Sequence, residues 1–254
     1  MKTLTICQRK GGNGKSTSAL NLAHAYALSG KRVLLIDMDD QRNTTSAIPT
    51  RRPIFHTVES LLLEEDALVF DVAQATLWEG VDLLAGSLGL SGAVSDLEQL
   101  SDGHLMLRDK LRPAFSWDLC IIDTSPSLNL LTINAMCASD GIFIPLSSNY
   151  FSLEGLAQTL QAYQKVREDL HHKSLKLYGA AFVIHDGRTR LAAEVQEKVR
   201  EQYPDLLCET VIHRNIKIEE AQVKRQSIFS YAPEDRGALQ YRMLSRELAA
   251  RMVL

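Results

Sequence analysis

Three glycines within four positions, Gly11, Gly12 and Gly14, run directly into Lys15 and Ser16, and the short stretch Thr3 to Gln8 before them reads as a buried strand. Backbone without side chains can wrap an anion closely, its successive N–H groups pointing inward. A helix opening at Lys15 adds the partial positive charge of its N-terminus. This is the chemistry of a phosphate cradle, in which Lys15 reaches the β- and γ-phosphates and the Ser16 hydroxyl faces Mg²⁺. Gly11, Gly12, Asn13, Gly14, Lys15, Ser16 and Thr17 are therefore expected to bind a nucleotide. The strict form of the motif has glycine five residues before Gly14, where this chain has Arg9. What stands instead is Lys10-Gly11-Gly12-Asn13-Gly14-Lys15-Ser16, with a second lysine in front of the loop.

Two further stretches, Leu34-Leu35-Ile36-Asp37-Met38-Asp39 and Leu119-Cys120-Ile121-Ile122-Asp123, are apolar strands that finish in carboxylate. Ligands of open α/β sheets bind at the carboxyl ends of strands. A single such aspartate is often only a helix cap or turn residue. Three beside a phosphate loop are better explained as a Mg²⁺–water shell and a water-orienting group.

The elements that must position these residues follow from hydrophobic periodicity. After the loop an Ala/Leu-rich helix runs to Leu28, and Arg32 to Met38 is a strand apolar on both faces, completing a strand–loop–helix–strand unit. The alternation continues with strands at Val81 to Ala85, Leu119 to Asp123, Ile142 to Leu146, Leu175 to Ile184 and Glu209 to His213. Helices are expected at Ala93 to Leu111, Leu153 to Leu170, Leu191 to Gln202 and Gly237 to Val253. Arg42 to Val58, with Pro49, Pro53 and several hydroxyl residues, reads as an irregular surface loop. The fold class is α/β, a single doubly wound domain over residues 1–254 with a mostly parallel central sheet and helices on both faces. The chain begins almost at its first strand, so no separate N-terminal DNA-binding domain is expected.

The 254 residues, 45% of them hydrophobic, suffice for one large core, and the longest apolar runs are far too short to span a membrane. The start has no signal-peptide pattern, so the expected address is the cytoplasm. Cys7, Cys120, Cys137 and Cys208 stand apart with no metal-ligand spacing and are expected to be buried, reduced thiols. A net charge of −3 argues against a protein that coats nucleic acid, yet the charge is divided. Residues 1–170 sum to −6 and residues 171–254 to +3.

The residues resemble those of the ParA/Soj branch of the ParA/MinD ATPases, the deviant Walker A group of the P-loop class. Six blocks occur in family order: Lys10 to Ser16, Leu34 to Asn43, Ile121 to Leu131, Tyr150 to Gly155, Asp186 to Arg190 and Arg214 to Ala221. The resemblance implies that Lys10 reaches across a sandwich dimer to the nucleotide of the other subunit. It implies that Lys10, Lys15 and Asp39 are the catalytic residues, and that Ser16, Asp37 and Asp123 surround the metal, the carboxylates through water. Asn215 is expected at the nucleotide. Arg188 and Lys217 resemble the two places where this branch carries basic residues for non-specific DNA binding, Lys217 replacing the more usual arginine. Several positions depart from the pattern. Asn13 replaces a small apolar residue, Asp40 and Arg42 replace a proline and a glycine beside Asp39, Ser125 replaces a proline, and Asn149 stands where an acidic residue is common.

The function the resemblance implies is a slow, partner-stimulated ATPase that uses ATP and Mg²⁺, forms a homodimer on ATP binding and binds DNA without sequence preference. It would act in chromosome or plasmid partitioning or cargo positioning, with a ParB-like or cargo-adaptor activator, on the nucleoid when ATP-bound. The alternatives are a MinD-like membrane-cycling ATPase and a nucleotide-holding regulator with little hydrolysis. The membrane reading would use Leu244, Leu248 and Met252 as an amphipathic stripe, but such spacing is more often a core face.

Overall fold

A seven-stranded sheet in the order β3-β4-β2-β5-β1-β6-β7 organises the computed structural model, which describes residues 1–149, 151–187 and 189–254. The strands are β1 (Lys2–Ile6), β2 (Val33–Met38), β3 (Gln74–Ala75), β4 (Val81–Leu84), β5 (Leu119–Thr124), β6 (Gly141–Leu146) and β7 (Lys176–Phe182). All pairings are parallel except β3 with β4. Among the described residues the α-helices are α1 (Lys15–Leu28), α2 (Asn43–Ala47), α3 (Val58–Leu63), α4 (Val69–Val72), α5 (Leu90–Glu98), α6 (Met106–Leu111), α7 (Leu130–Cys137), α8 (Phe151–Glu168), α9 (Arg190–Gln202), α10 (Ile216–Val223), α11 (Ile228–Tyr231) and α12 (Arg236–Met252).

The pleat sorts the strand residues between two faces. Val33, Leu35, Leu119, Ile121 and Phe143 pack with α1 and α12, whereas Leu34, Ile36, Cys120 and Ile122 pack with α3, α5, α6 and α7. The β6–β7 half of that second face, with Ile142, Ile144 and Phe182, is covered by α8 and α9. Burial on both sides explains why β2 and β5 read as continuous apolar runs. Pro145 is accommodated in β6 because β1 pairs no further than Phe143, leaving Pro145 opposite Ala181 of β7 alone. Leu244, Leu248 and Met252 lie in the core against α1, so the C-terminal stripe is a packing face. Among the described residues no helix is long and apolar enough to cross a membrane.

Three expectations are corrected. The helix expected over Ala93 to Leu111 breaks into α5, a single 3-10 turn at Gly103–Leu105 and α6. A Cβ at Gly103 would collide with the Leu97 carbonyl, and Asn134 of α7 stitches the break by donating to the Gly103 carbonyl and accepting from Leu107 N–H. The strand expected over Glu209 to His213 is an extended segment beside β7 with only isolated bridges. Its ladder is interrupted because Glu247 of α12 takes the N–H groups of Glu209 and Thr210, and Gln240 takes that of His213. Finally, the loop expected over Arg42 to Val58 contains α2, whose Thr44 and Thr45 are buried.

Candidate functional site

The glycine loop leaves the carboxyl end of β1, the strand on either side of which β5 and β6 lie, and passes into α1. Gly12 and Gly14 take φ of 74° and 72°, the left-handed region that glycine enters without strain. At Gly14 a Cβ would also stand 2.9 Å from Val183 Cγ2, so both backbone and space require glycine. Gly14 caps α1 with no side-chain hydrogen bond, and the first turn carries no acidic residue. The helix therefore presents its N–H groups uncompensated to the loop. The cleft they face measures about 490 Å³, and its walls include Gly11, Gly12, Lys15, Ser16, Thr17 and Asp39.

Three carboxylates stand beside this cleft at the ends of two strands, Asp39 in its wall and Asp37 and Asp123 buried behind it. Asp37 and Asp123 are register partners on β2 and β5, both fully buried. Asp37 Oδ2 accepts from the N–H and the hydroxyl of Thr45 at 2.7 and 2.6 Å. Asp123 Oδ2 accepts from the Thr44 hydroxyl at 2.7 Å, while its buried Oδ1 has no hydrogen-bond partner among the described residues. Burial raises both carboxyls above the usual carboxylate range; Asp37 adds to the rise at Asp123, and the Ser16 and Thr44 hydroxyls oppose it. Asp39, at the mouth, accepts from Gln41 N–H at 3.0 Å and is also raised, first by burial. Lys15 is buried too; desolvation lowers its pKa, while Asp123 and Asp39 hold it up.

One ammonium against three crowded carboxylates leaves the cleft short of positive charge, with an orphaned acceptor on Asp123. A hard divalent cation with oxygen ligands corrects both defects, and a hydroxyl plus two carboxylates is the donor set Mg²⁺ takes. The residues thus fit the metal expected from the sequence.

Thr44 and Thr45 are the site residues that sequence reading missed. The available signal was an Asn-Thr-Thr-Ser run just after the acidic end of β2, but hydroxyls in a stretch with prolines read equally well as turn residues. Gly86, after β4, is a second: a Cβ there would fall about 3.0 Å from the Asp37 carbonyl, and its N–H donates to Thr45 Oγ1. Asp40, in place of the family's proline, accepts from Gln41 and from the hydroxyl of Ser91 on α5.

The remaining expected residues lie at differing distances from the cleft. The Asn13 side chain turns inward, with Oδ1 accepting from Ser147 at 2.6 Å. Thr17 faces the cleft and accepts from Gln222 of α10 at 2.8 Å. Asn215 caps α10 by accepting from Lys217 N–H at 2.8 Å and donates to Asp235, the cap of α12. It lines a neighbouring crevice that shares Thr17 and Gln222 with the main one. Lys10 does not enter its own cleft: Nζ donates to Asn149 Oδ1 at 2.6 Å and lies 5.0 Å from the centre of the Phe151 ring. Lys217 is half-exposed and paired with Glu220 at 2.8 Å. Arg188 lies outside the described residues. All four cysteines are buried and unbridged, as expected.

Comparison with known proteins agrees with this geometry. The profile of a family described as an AAA domain matches residues 1–177. The chromosome-partitioning ATPase Soj of Treponema pallidum (strain Nichols) is 38% identical over 98% of this chain and 98% of its own length. The sporulation initiation inhibitor protein Soj of Bacillus subtilis (strain 168) is 37% identical over 98% of each chain. Among solved structures, cobyrinic acid a,c-diamide synthase of Mycobacterium smegmatis, with bound ATP analogue and magnesium, superposes with a TM-score of 0.82 at 26% identity. The match covers 97% of this chain and 93% of that one.

Proposed function

The chain belongs to the ParA/Soj family of P-loop ATPases, and from that membership we propose that it is a partitioning ATPase working as a dimerisation switch. MgATP joins two copies, the dimer binds DNA without sequence preference, and slow hydrolysis, stimulated by a ParB-like or cargo-adaptor partner, separates them. Residues 1–254 act as one domain, cytoplasmic and held on the nucleoid in the ATP-bound form. The observation that supports this most is the grouping of Lys15, Ser16 and Asp39 in one glycine-lined cleft, with the paired Asp37 and Asp123 buried directly behind it.

Phosphoryl transfer asks the protein chiefly for positioning and for positive charge around the phosphate oxygens. Gly11 to Thr17 hold the phosphates by backbone N–H groups, Lys15 spans the β- and γ-oxygens, and Asn215 supports the α10 end of the nucleotide site. Ser16, with Asp37 and Asp123 through water, would hold Mg²⁺, which would supply positive charge to offset that of the phosphates. Asp39 orients the attacking water. Lys10 is donated to the nucleotide of the partner copy, which makes turnover conditional on dimerisation. Arg188 and Lys217 supply phosphate contacts to DNA.

Light scattering and phosphate release with ATP, ADP and no nucleotide test the scheme. Dimer is expected only with ATP. Lys10→Ala should bind nucleotide yet lose hydrolysis, Asp39→Ala should accumulate the ATP dimer, and Lys15→Ala should lose nucleotide affinity. Unchanged turnover in Lys10→Ala and Asp39→Ala would refute these roles.

A further inference from the structure

Asn13 and Asn149, two of the departures from the family pattern, are joined in the structure by a single chain of hydrogen bonds. Lys10 Nζ donates to Asn149 Oδ1 at 2.6 Å, Asn149 Nδ2 donates to Ser147 Oγ at 2.7 Å, and Ser147 Oγ donates to Asn13 Oδ1 at 2.6 Å. Chemistry fixes the direction of the first two links. An ammonium only donates, so the atom of Asn149 facing it is the oxygen, and the amide nitrogen then donates to Ser147. Asn13 is 1% exposed and Ser147 8%, so the chain is sealed from water along most of its length. Its far end, Asn13 Nδ2, is buried without a partner among the described residues. Ser152 braces the middle, 2.8 Å from Ser147 Oγ and 3.4 Å from Asn149 Oδ1. The Phe151 ring gives Lys10 a second hold.

We propose that Asn149, Ser147 and Asn13 form a latch that keeps Lys10 on its own protomer until the lysine crosses to the partner, with Asn149 as the positioning residue. The proposal rests on the reading of Lys10 as a group donated in trans. A neutral amide holds an ammonium by its dipole alone, whereas a carboxylate at this half-buried position would add the attraction of a full charge. The asparagine therefore makes a latch that opens readily. Because the chain of bonds ends between Gly12 and Gly14, opening it also frees Asn13 inside the loop that wraps the phosphates. Coupling of this kind runs both ways: a bound phosphate that shifts Asn13 loosens Lys10, and departure of Lys10 relaxes the loop.

Two measurements test the latch. The first is competitive amine labelling of nucleotide-free full-length protein, read at Lys10 relative to the exposed Lys224. Asn149→Ala and Ser147→Ala should label Lys10 several-fold faster than the parent, and Asn149→Asp more slowly. The second is the ATP-dependent dimer dissociation constant, measured by light scattering in an Asp39→Ala background. It should fall several-fold with Asn149→Ala and rise about tenfold with Asn149→Asp, as expected for an added charge-assisted bond. A packing defect would move both substitutions in one direction. Equal labelling in the parent and all three variants overturns the latch, even where an ATP dimer forms. A parent that never dimerises with ATP, but labels as described, overturns instead the trans role of Lys10 and with it the release step.

Discussion

Arg42 adopts φ of 54°, in the left-handed region, at the position where related sequences are expected to place glycine. The turn is needed because α2 begins at the next residue and must bring Thr44 and Thr45 beneath Asp123 and Asp37. A residue with a Cβ holds that conformation at a cost on the order of 1 kcal/mol. Arg42→Gly should therefore stabilise the protein by about that amount in chemical denaturation, and a loss of stability would show that the Arg42 side chain compensates the strain. His24 makes a second residue-scale case. It is buried against Trp78, with Nδ1 2.5 Å from Ser227 Oγ, and burial pushes its pKa down to about 4 from 6.5. A depressed histidine means that the unfolded chain binds the extra proton, so the stability is fully present above pH 6.5 and is lost as pH falls toward 4. At pH 5 the loss from this group amounts to about 2 kcal/mol, and His24→Asn should flatten the slope of stability between pH 7.5 and 5. An unaltered slope in that variant would assign the acid sensitivity to other groups. The carboxylates were legible in the sequence because each ends an apolar strand. Thr44 and Thr45 were not, since a hydroxyl acquires its role only once the chain has turned back onto those carboxylates.

Elements were legible where burial imposes one periodicity, and illegible where a side chain from elsewhere takes over backbone hydrogen bonding. β2 and β5 lie close to where the apolar runs put them, because both faces are covered. The segment from Glu209 to His213 shares their extended character, yet Glu247 and Gln240, 27 to 38 residues downstream, claim its donors. No local pattern announces such a claim. The α5–α6 break is similar, being sealed by Asn134 from α7. Glu247 Oε1 and Oε2 each accept one N–H, at 2.9 and 3.1 Å, and the same carboxylate pairs with Arg251. Removing it leaves two backbone donors short of an acceptor, while Arg251 keeps the carbonyls of Asp205, Leu206 and Leu207. Glu247→Ala is expected to cost about 1–3 kcal/mol in denaturation, with little change in nucleotide affinity, because Glu209 and Thr210 line neither the cleft nor the crevice beside it. Unchanged stability would show that water meets those donors equally well.

At the scale of the whole molecule the division of charge matters more than its sum. A chain of net −3, with its basic excess confined to residues 171–254, offers few phosphate contacts as a single copy. Non-specific affinity rises with the number of counterions released, so pairing two copies doubles the contacts and steepens the salt dependence. DNA retardation should therefore be seen with ATP but not ADP, and should weaken on the order of a hundredfold between about 50 and 200 mM salt. The Lys217–Glu220 pair refines this expectation. Glu220 already occupies the ammonium, so Glu220→Gln should tighten binding of the ATP form while Lys217→Ala weakens it; equal affinity in both variants would remove Lys217 from the DNA surface. The two rims of the sheet carry a last consequence. On one side β3 is two residues long and its outer flank is bonded to the Pro49–Arg51 stretch. On the other, the 206–214 segment occupies the free flank of β7. Among the described residues each rim is therefore partly taken up by its own chain, which leaves strand-by-strand accretion only a short template. Crowding then offers fibres no long edge to grow from.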